Sequence, residues 1–278
     1  MTMRRMDHAI RTVRAVLVSP APRDADWLFG RLAVAAVVLT VLALVMLALD
    51  DRMLGTESVW LKPLKFSVSF AVLFATLGVA AANLSDTWRA SWTVAAAAVA
   101  SAVAFLFEMA YIVAQAARQE ASHFNESTPF NALMYELMGV GATTLMGTIA
   151  LVGIVAWLDR GARLGKGVRL GIGLGFLLTA VMTSWVAGEL AGNGGRYVGL
   201  PSDPHARLPF LGWSREVGDL RPAHFLALHA MQLLPAAGYA IDRLGASERP
   251  LWIGAIAYAL LTSSIFAQAL RGVPLIGP

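Results

Sequence analysis

The chain has 278 residues, of which 57% are hydrophobic and 14% charged, with a net charge of +4 and no cysteine. A soluble domain carries about 25% charged residues, so this composition excludes an ordinary soluble enzyme. The missing cysteines exclude disulfides, thiolate metal sites and cysteine nucleophiles. A charge of +4 is ordinary for a membrane protein and does not call for nucleic acid.

Residues 1–27 read as a basic amphipathic interfacial segment. Met3, Met6, Ile10, Val13 and Leu17 recur at helical spacing, Arg4, Arg5, Arg11 and Arg14 lie off that stripe, and Ser19-Pro20 ends it. The apolar run that follows is too long for a signal peptide and ends in Asp50-Asp51 rather than a small-residue cleavage site. From there to residue 278 the pattern predicts one all-α integral membrane domain, a bundle of seven transmembrane helices. The spans fall at 28–49, 64–84, 93–117, 130–157, 169–191, 222–243 and 251–270, each near the ~20 residues that cross a hydrocarbon core. Trp27, Trp60, Trp88, Trp92, Trp157, Trp213 and Trp252 sit near their ends, where interfacial aromatics belong. Gly167, Gly171 and Gly175 in span 5, and Gly139, Thr143 and Gly147 in span 4, mark close helix packing.

Thirteen Lys and Arg fall on the side of the N-terminus and nine on the other. That bias predicts a cytoplasmic N-terminus and a C-terminus outside. The loops between spans 1 and 2, 3 and 4, and 5 and 6 are then external. The last, over 192–221, is long and aperiodic but carries Tyr197, Phe210 and Trp213, which predicts an ordered cap.

A charge in a membrane helix costs about 2.5–3.5 kcal/mol, so embedded polar residues call for a partner or a purpose. Glu108, Glu136, Glu189, His224, His229, Gln232, Gln268 and Arg271 all fall in the outer half of the predicted spans. That one-sidedness predicts a His/Glu polar cavity open to the outside. In span 3, Glu108, Tyr111, Gln115 and Arg118 share a helical face. His224 and His229 stand well apart around the wheel and do not form a two-histidine clip, whereas His229 and Gln232 share a face. Pro235 is expected to loosen the helix below Gln232 and open space there. Glu108, Glu136 and His229 are the candidate catalytic groups. His224, Gln232, Tyr111, Gln115, Arg118 and Gln268 are candidate cofactor contacts. His229, His224, His123 and Glu108 are candidate metal ligands, with Lys62 and Lys65 as interfacial anchors or attractors of an anion.

No P-loop, GxSxG, HExxH or dinucleotide fingerprint is present. The strings Lys62-Pro63-Leu64-Lys65-Phe66, Ser122-His123-Phe124-Asn125-Glu126-Ser127-Thr128, Gly218-Asp219-Leu220-Arg221-Pro222-Ala223-His224-Phe225 and His229-Ala230-Met231-Gln232 resemble those of a bacterial multi-spanning membrane family with no assigned activity. The resemblance spans most of the chain from residue 57. It implies a bacterial inner-membrane home and no reaction.

Two functions fit these residues. The first is a membrane-embedded enzyme or redox protein that uses a transition metal or haem, since imidazole and carboxylate are the donors such groups take. The second is a transporter, channel or receptor for a small polar or anionic solute reaching the same cavity from outside. The lack of a polar path through the inner half, and an odd number of spans that cannot form two inverted halves, weigh against transport. A structural or assembly role is a third reading. The lipid bilayer and a small-molecule ligand are the expected partners, and nothing sets the oligomeric state.

Overall fold

The computed structural model describes residues 24–203, 205–209 and 211–277. The basic segment expected over 1–27 lies outside them except for its last four residues. Among the described residues there are seven long helices: α1 (Ala25–Leu49), α2 (Leu61–Ala82), α4 (Trp92–Ala117), α5 (Pro129–Leu158), α6 (Lys166–Gly192), α7 (Arg221–Leu244) and α8 (Arg249–Leu270). A single turn, α3 (Asp86–Arg89), follows α2. Two short hairpins complete the described elements, β1 (Met53–Leu54) with β2 (Glu57–Ser58) and β3 (Tyr197–Val198) with β4 (Gly218–Asp219).

Helix starts follow local chemistry. Ser91 Oγ accepts from Val94 N ahead of α4, and Thr128 Oγ1 accepts from Asn131 N ahead of α5, where Pro129 sits in the first turn. α7 opens on Arg221-Pro222 and closes on Gly245 at φ +61°. Six of the long helices are long and apolar enough to cross a bilayer, which makes the chain a multi-pass membrane protein. The exception is α7, which is equally long but amphipathic, carrying His224, His229, Gln232, Asp242 and Arg243.

Packing explains how so polar a helix is held. α7 makes its most extensive contact with α6. There Gly167, Gly171 and Gly175 abut the carbonyls of Gly238, Leu234 and Ala230 so closely that any Cβ would collide with them. Asp242 accepts from the Gly167 and Val168 amides at 2.8 and 2.9 Å and satisfies the start of α6. The space expected at Pro235 is therefore closed: the helix runs through it, and Gly171 fits against Leu234 and Pro235. The second small-residue repeat behaves differently, since nothing lies within 4 Å of a Cβ at Gly139 or Gly147.

The core joins α1, α2, α4, α5 and α6 through Phe29, Phe70, Phe74, Phe105, Ile149 and Phe176, and Met231 of α7 enters it. Phe105 meets Phe70 and Phe74 edge-on at 5.0 and 5.3 Å. The helices alternate in direction, so the loops after α1, α4 and α6 and the tail after α8 gather at one end, the cap end.

Candidate functional site

The cap end is built from charged residues that find partners far away in sequence. The segment after α1 is pinned by Asp50, whose carboxylate accepts from Arg52 Nη2 and from the Trp60 indole, both at 2.7 Å. Those bonds hold the Asp50 carboxyl well below the usual carboxylate range. Arg52 also donates to Ala117 O (2.8 Å) and Gln119 to Met53 O (2.7 Å), tying the β1–β2 hairpin to the end of α4. Gln119 takes φ +60°, and the Glu120 amide reaches back to Gln115 O, closing α4 with a Schellman turn.

The α6–α7 loop is organised by Asp219, whose side chain is fully buried. It accepts from Ser214 N (2.9 Å), Arg221 N (3.0 Å), Arg221 Nε (2.9 Å) and Arg221 Nη2 (2.6 Å). Arg221 Nη2 also donates to Gly212 O at 2.6 Å. Gly218 abuts Ala269 O at the end of α8, where a Cβ would collide. The Gly218-Asp219-Leu220-Arg221-Pro222 string is thus a docking corner: the glycine permits close approach, the aspartate gathers donors, and the last two residues start α7.

Between these loops lies a cleft of about 390 Å³, lined in part by Glu57, Lys62, Glu120, Ser122, Arg196 and Arg207. Arg196 and Arg207 both approach one oxygen of Glu57, at 3.4 and 3.3 Å. Lys62 lies within electrostatic reach of Arg196 and Glu57, and Lys65 of Glu57, Arg221, Arg196 and Arg207. Both lysines are half-buried, and among the described residues neither has a carboxylate within 4 Å. Two arginines therefore contact Glu57 and two lysines lie within electrostatic reach of it, while Arg221 and Arg118 have their own partners in Asp219 and Glu120. Two like charges about 7 Å apart repel by about 2 kcal/mol at an effective dielectric of about 20, a repulsion that negative charge among them relieves.

His123 borders this cleft. It lies 3.2 Å from Ser122 Oγ and packs against Phe66, Phe124 and Tyr135, with Phe66 at 5.1 Å. Burial, with Lys62 nearby, pushes its imidazole down to about 3, so the ring is neutral.

Among the described residues the predicted His/Glu cavity finds no support. Among the described residues no three His, Cys, Asp or Glu side chains come together as a metal-ligand group. No three of the four proposed ligands His229, His224, His123 and Glu108 therefore meet. Glu108 is buried on α4 facing α5, and its Oε1 is 2.8 Å from where a Gly141 Cβ would lie. Glu136 is exposed on α5. The polar face of α4 looks to α5 and its own loop: Gln115 Nε2 donates to Tyr111 OH (3.1 Å) and Ala121 O (3.0 Å), and Tyr111 donates to Asn131 Oδ1 (3.1 Å). Arg118 pairs with Glu120 on the surface, and Gln268 Nε2 donates to Pro274 O at 2.6 Å.

One predicted pairing does form. Gln232 donates from Nε2 to Thr76 Oγ1 on α2 (3.1 Å), and its Oε1 lies 3.2 Å from His229 Nδ1. In that amide orientation His229 Nδ1 is the donor of this bond. His224 lies on the same helix, and among the described residues its buried Nδ1 has no hydrogen-bond partner, nor have Glu108 Oε1 and Thr183 Oγ1. Glu57 and Asp219, which organise the cleft and the cap, are absent from the sequence-based candidates. Their only signal is position, in a short turn and ahead of Arg-Pro. No family model, curated protein or solved structure matches the chain.

Proposed function

We propose that the chain is a bacterial inner-membrane protein that crosses the bilayer seven times, with the N-terminus in the cytoplasm and the cap end outside, and that it binds a small anionic ligand in the cap cleft. The observation that carries the reading is the cluster of Lys62, Lys65, Arg196 and Arg207 around Glu57 alone. Lysine and arginine at the mouth of a low-dielectric bundle concentrate anions, and the arginines give planar recognition of phosphate or carboxylate. In the sequence, the excess of Lys and Arg before the first span and in the loops on the same side as the N-terminus supports the orientation. α7 serves as the seventh crossing because α6 and α8 shield it and its polar face looks toward α2. The resemblance of the three cap-end strings supports the bacterial inner membrane. Titration of the purified protein with pyrophosphate gives saturable binding that weakens at least tenfold in Lys62→Ala and in Lys65→Ala and declines with salt. Absence of saturable binding by phosphate, pyrophosphate and a dicarboxylate would refute the reading.

A metal- or haem-dependent enzyme is the second reading, and one observation favours it: His224 Nδ1 is buried, unpartnered and on a helix that also carries His229. A Soret band or stoichiometric metal in the purified protein, lost in His224→Ala, would establish it. Its absence leaves the anion cleft as the site.

A further inference from the structure

We propose that the ligand of the cleft is an anionic phospholipid of the outer leaflet, with its headgroup among Lys62, Lys65, Arg196 and Arg207 and an acyl chain in a slot between α2 and α7. This rests on the anion-binding reading and names the ligand class for it.

The slot follows from register. Thr76 and Gln232 are 156 positions apart and joined by a hydrogen bond of 3.1 Å; Lys65 and Arg221 are also 156 apart and within electrostatic reach of each other. α2 and α7 therefore run parallel at matched depth over eleven residues, about 16 Å at 1.5 Å per residue. Yet their backbones make no extensive contact, unlike those of neighbouring helix pairs. A side-chain hydrogen bond, Gln232 with Thr76, spans the gap at its floor, and the cationic cluster stands at its mouth.

The residues between are apolar or weakly polar and at least partly exposed. On α2 they are Val68, Ser69 and Val72, with the valines 44% and 39% exposed. On α7 they are Phe225, 45% exposed, and His229. Each set follows i, i+3, i+4 spacing on the face that carries the bridging residue. Two unrelated lipid-facing perimeters would not meet at a hydrogen bond below and a charge cluster above. Trp213 from the cap packs on Phe225 at 5.8 Å and Phe225 on His229 at 4.3 Å, giving the α7 wall a rigid aromatic lining. A positive mouth over an apolar slot open to the bilayer matches an amphiphile with an anionic head. A free solute would leave the slot unfilled, and a zwitterionic lipid would lack the net charge.

The absence of cysteine allows single-site labelling. A fluorophore on Val72→Cys in nanodiscs is quenched several-fold more by phosphatidylglycerol with a spin label on its chain than by the matching phosphatidylcholine. The same fluorophore on Val103→Cys, on the lipid-facing side of α4, shows no such preference. Val72→Trp, which fills the slot, removes phosphatidylglycerol retained through purification, read by native mass spectrometry, and keeps pyrophosphate binding. Equal quenching by the two lipids at position 72, with pyrophosphate binding intact, overturns the lipid slot and leaves the anion site standing. Loss of pyrophosphate binding in the wild type overturns both.

Discussion

Replacing Asp219 by Ala removes the acceptor that gathers three groups of Arg221 and the Ser214 amide. Asp219 has no exposed side-chain surface and Arg221 only 20%, so the guanidinium would be left largely buried without its counter-ion. Removing one member of a buried pair costs about 3–5 kcal/mol. The remaining bond to Gly212 O and the partial exposure of Arg221 place this case at the lower end, about 3 kcal/mol. If the cap opens as a unit, that cost raises its open population about a hundredfold. Hydrogen exchange of the amides of Leu208 and Leu220, which donate to Trp213 O and Arg196 O and not to Asp219, reads the opening directly. Arg118→Ala is the control, because Arg118 and Glu120 are 62% and 36% exposed, and losing such a pair costs under about 1 kcal/mol. The double variant Asp219→Ala/Arg221→Met should recover part of the loss. Exchange at those amides within a few-fold of wild type in Asp219→Ala would refute the view that this pair organises the cap.

The two small-residue repeats should respond oppositely to one substitution. Gly171→Val drives a side chain into Leu234 O and Pro235, and should lower thermal stability in detergent by about 1–3 kcal/mol or more. Gly147→Val enters open space and should change it by less than about 0.5 kcal/mol. His123 gives a pH signature. Its folded pKa of about 3 is depressed from 6.5, so the contribution of its neutral ring is full above 6.5 and is lost as pH falls toward 3. Ring-nitrogen NMR shifts of His123 should stay those of a neutral imidazole at pH 5, while proteolysis in the 118–129 loop rises on acidification. A charged His123 ring at pH 5 would contradict its buried placement.

The membrane helices were legible in sequence because hydrocarbon tolerates only long apolar runs, and six of them stand out on that ground alone. α7 carries no equally apolar window, so the sequence supports it through helix length and flanking signals, and the structure through the glycine seam that seats it on α6. The candidate site was less legible. A helical wheel correctly groups Glu108, Tyr111 and Gln115 on one face, but it cannot say which helix that face meets. Here it meets α5 and the α4–α5 loop, so hydrogen bonds to Asn131 and Ala121 occupy two of those three side chains. The cap cleft depends on Glu57 meeting Arg196 and Arg207 across 139 and 150 positions, a pairing no local pattern encodes.

Labelling of Thr56→Cys in intact spheroplasts tests the central claim most directly, since Thr56 is exposed and lines the cleft and no native thiol competes. With an anion-binding cleft on the outer face, a membrane-impermeant maleimide reacts at this position without lysis, and added pyrophosphate slows the reaction. The slowing disappears when Lys62→Ala and Lys65→Ala are introduced together. Reaction only after lysis would contradict the orientation, and a rate indifferent to pyrophosphate in the presence of both lysines would contradict the anion site.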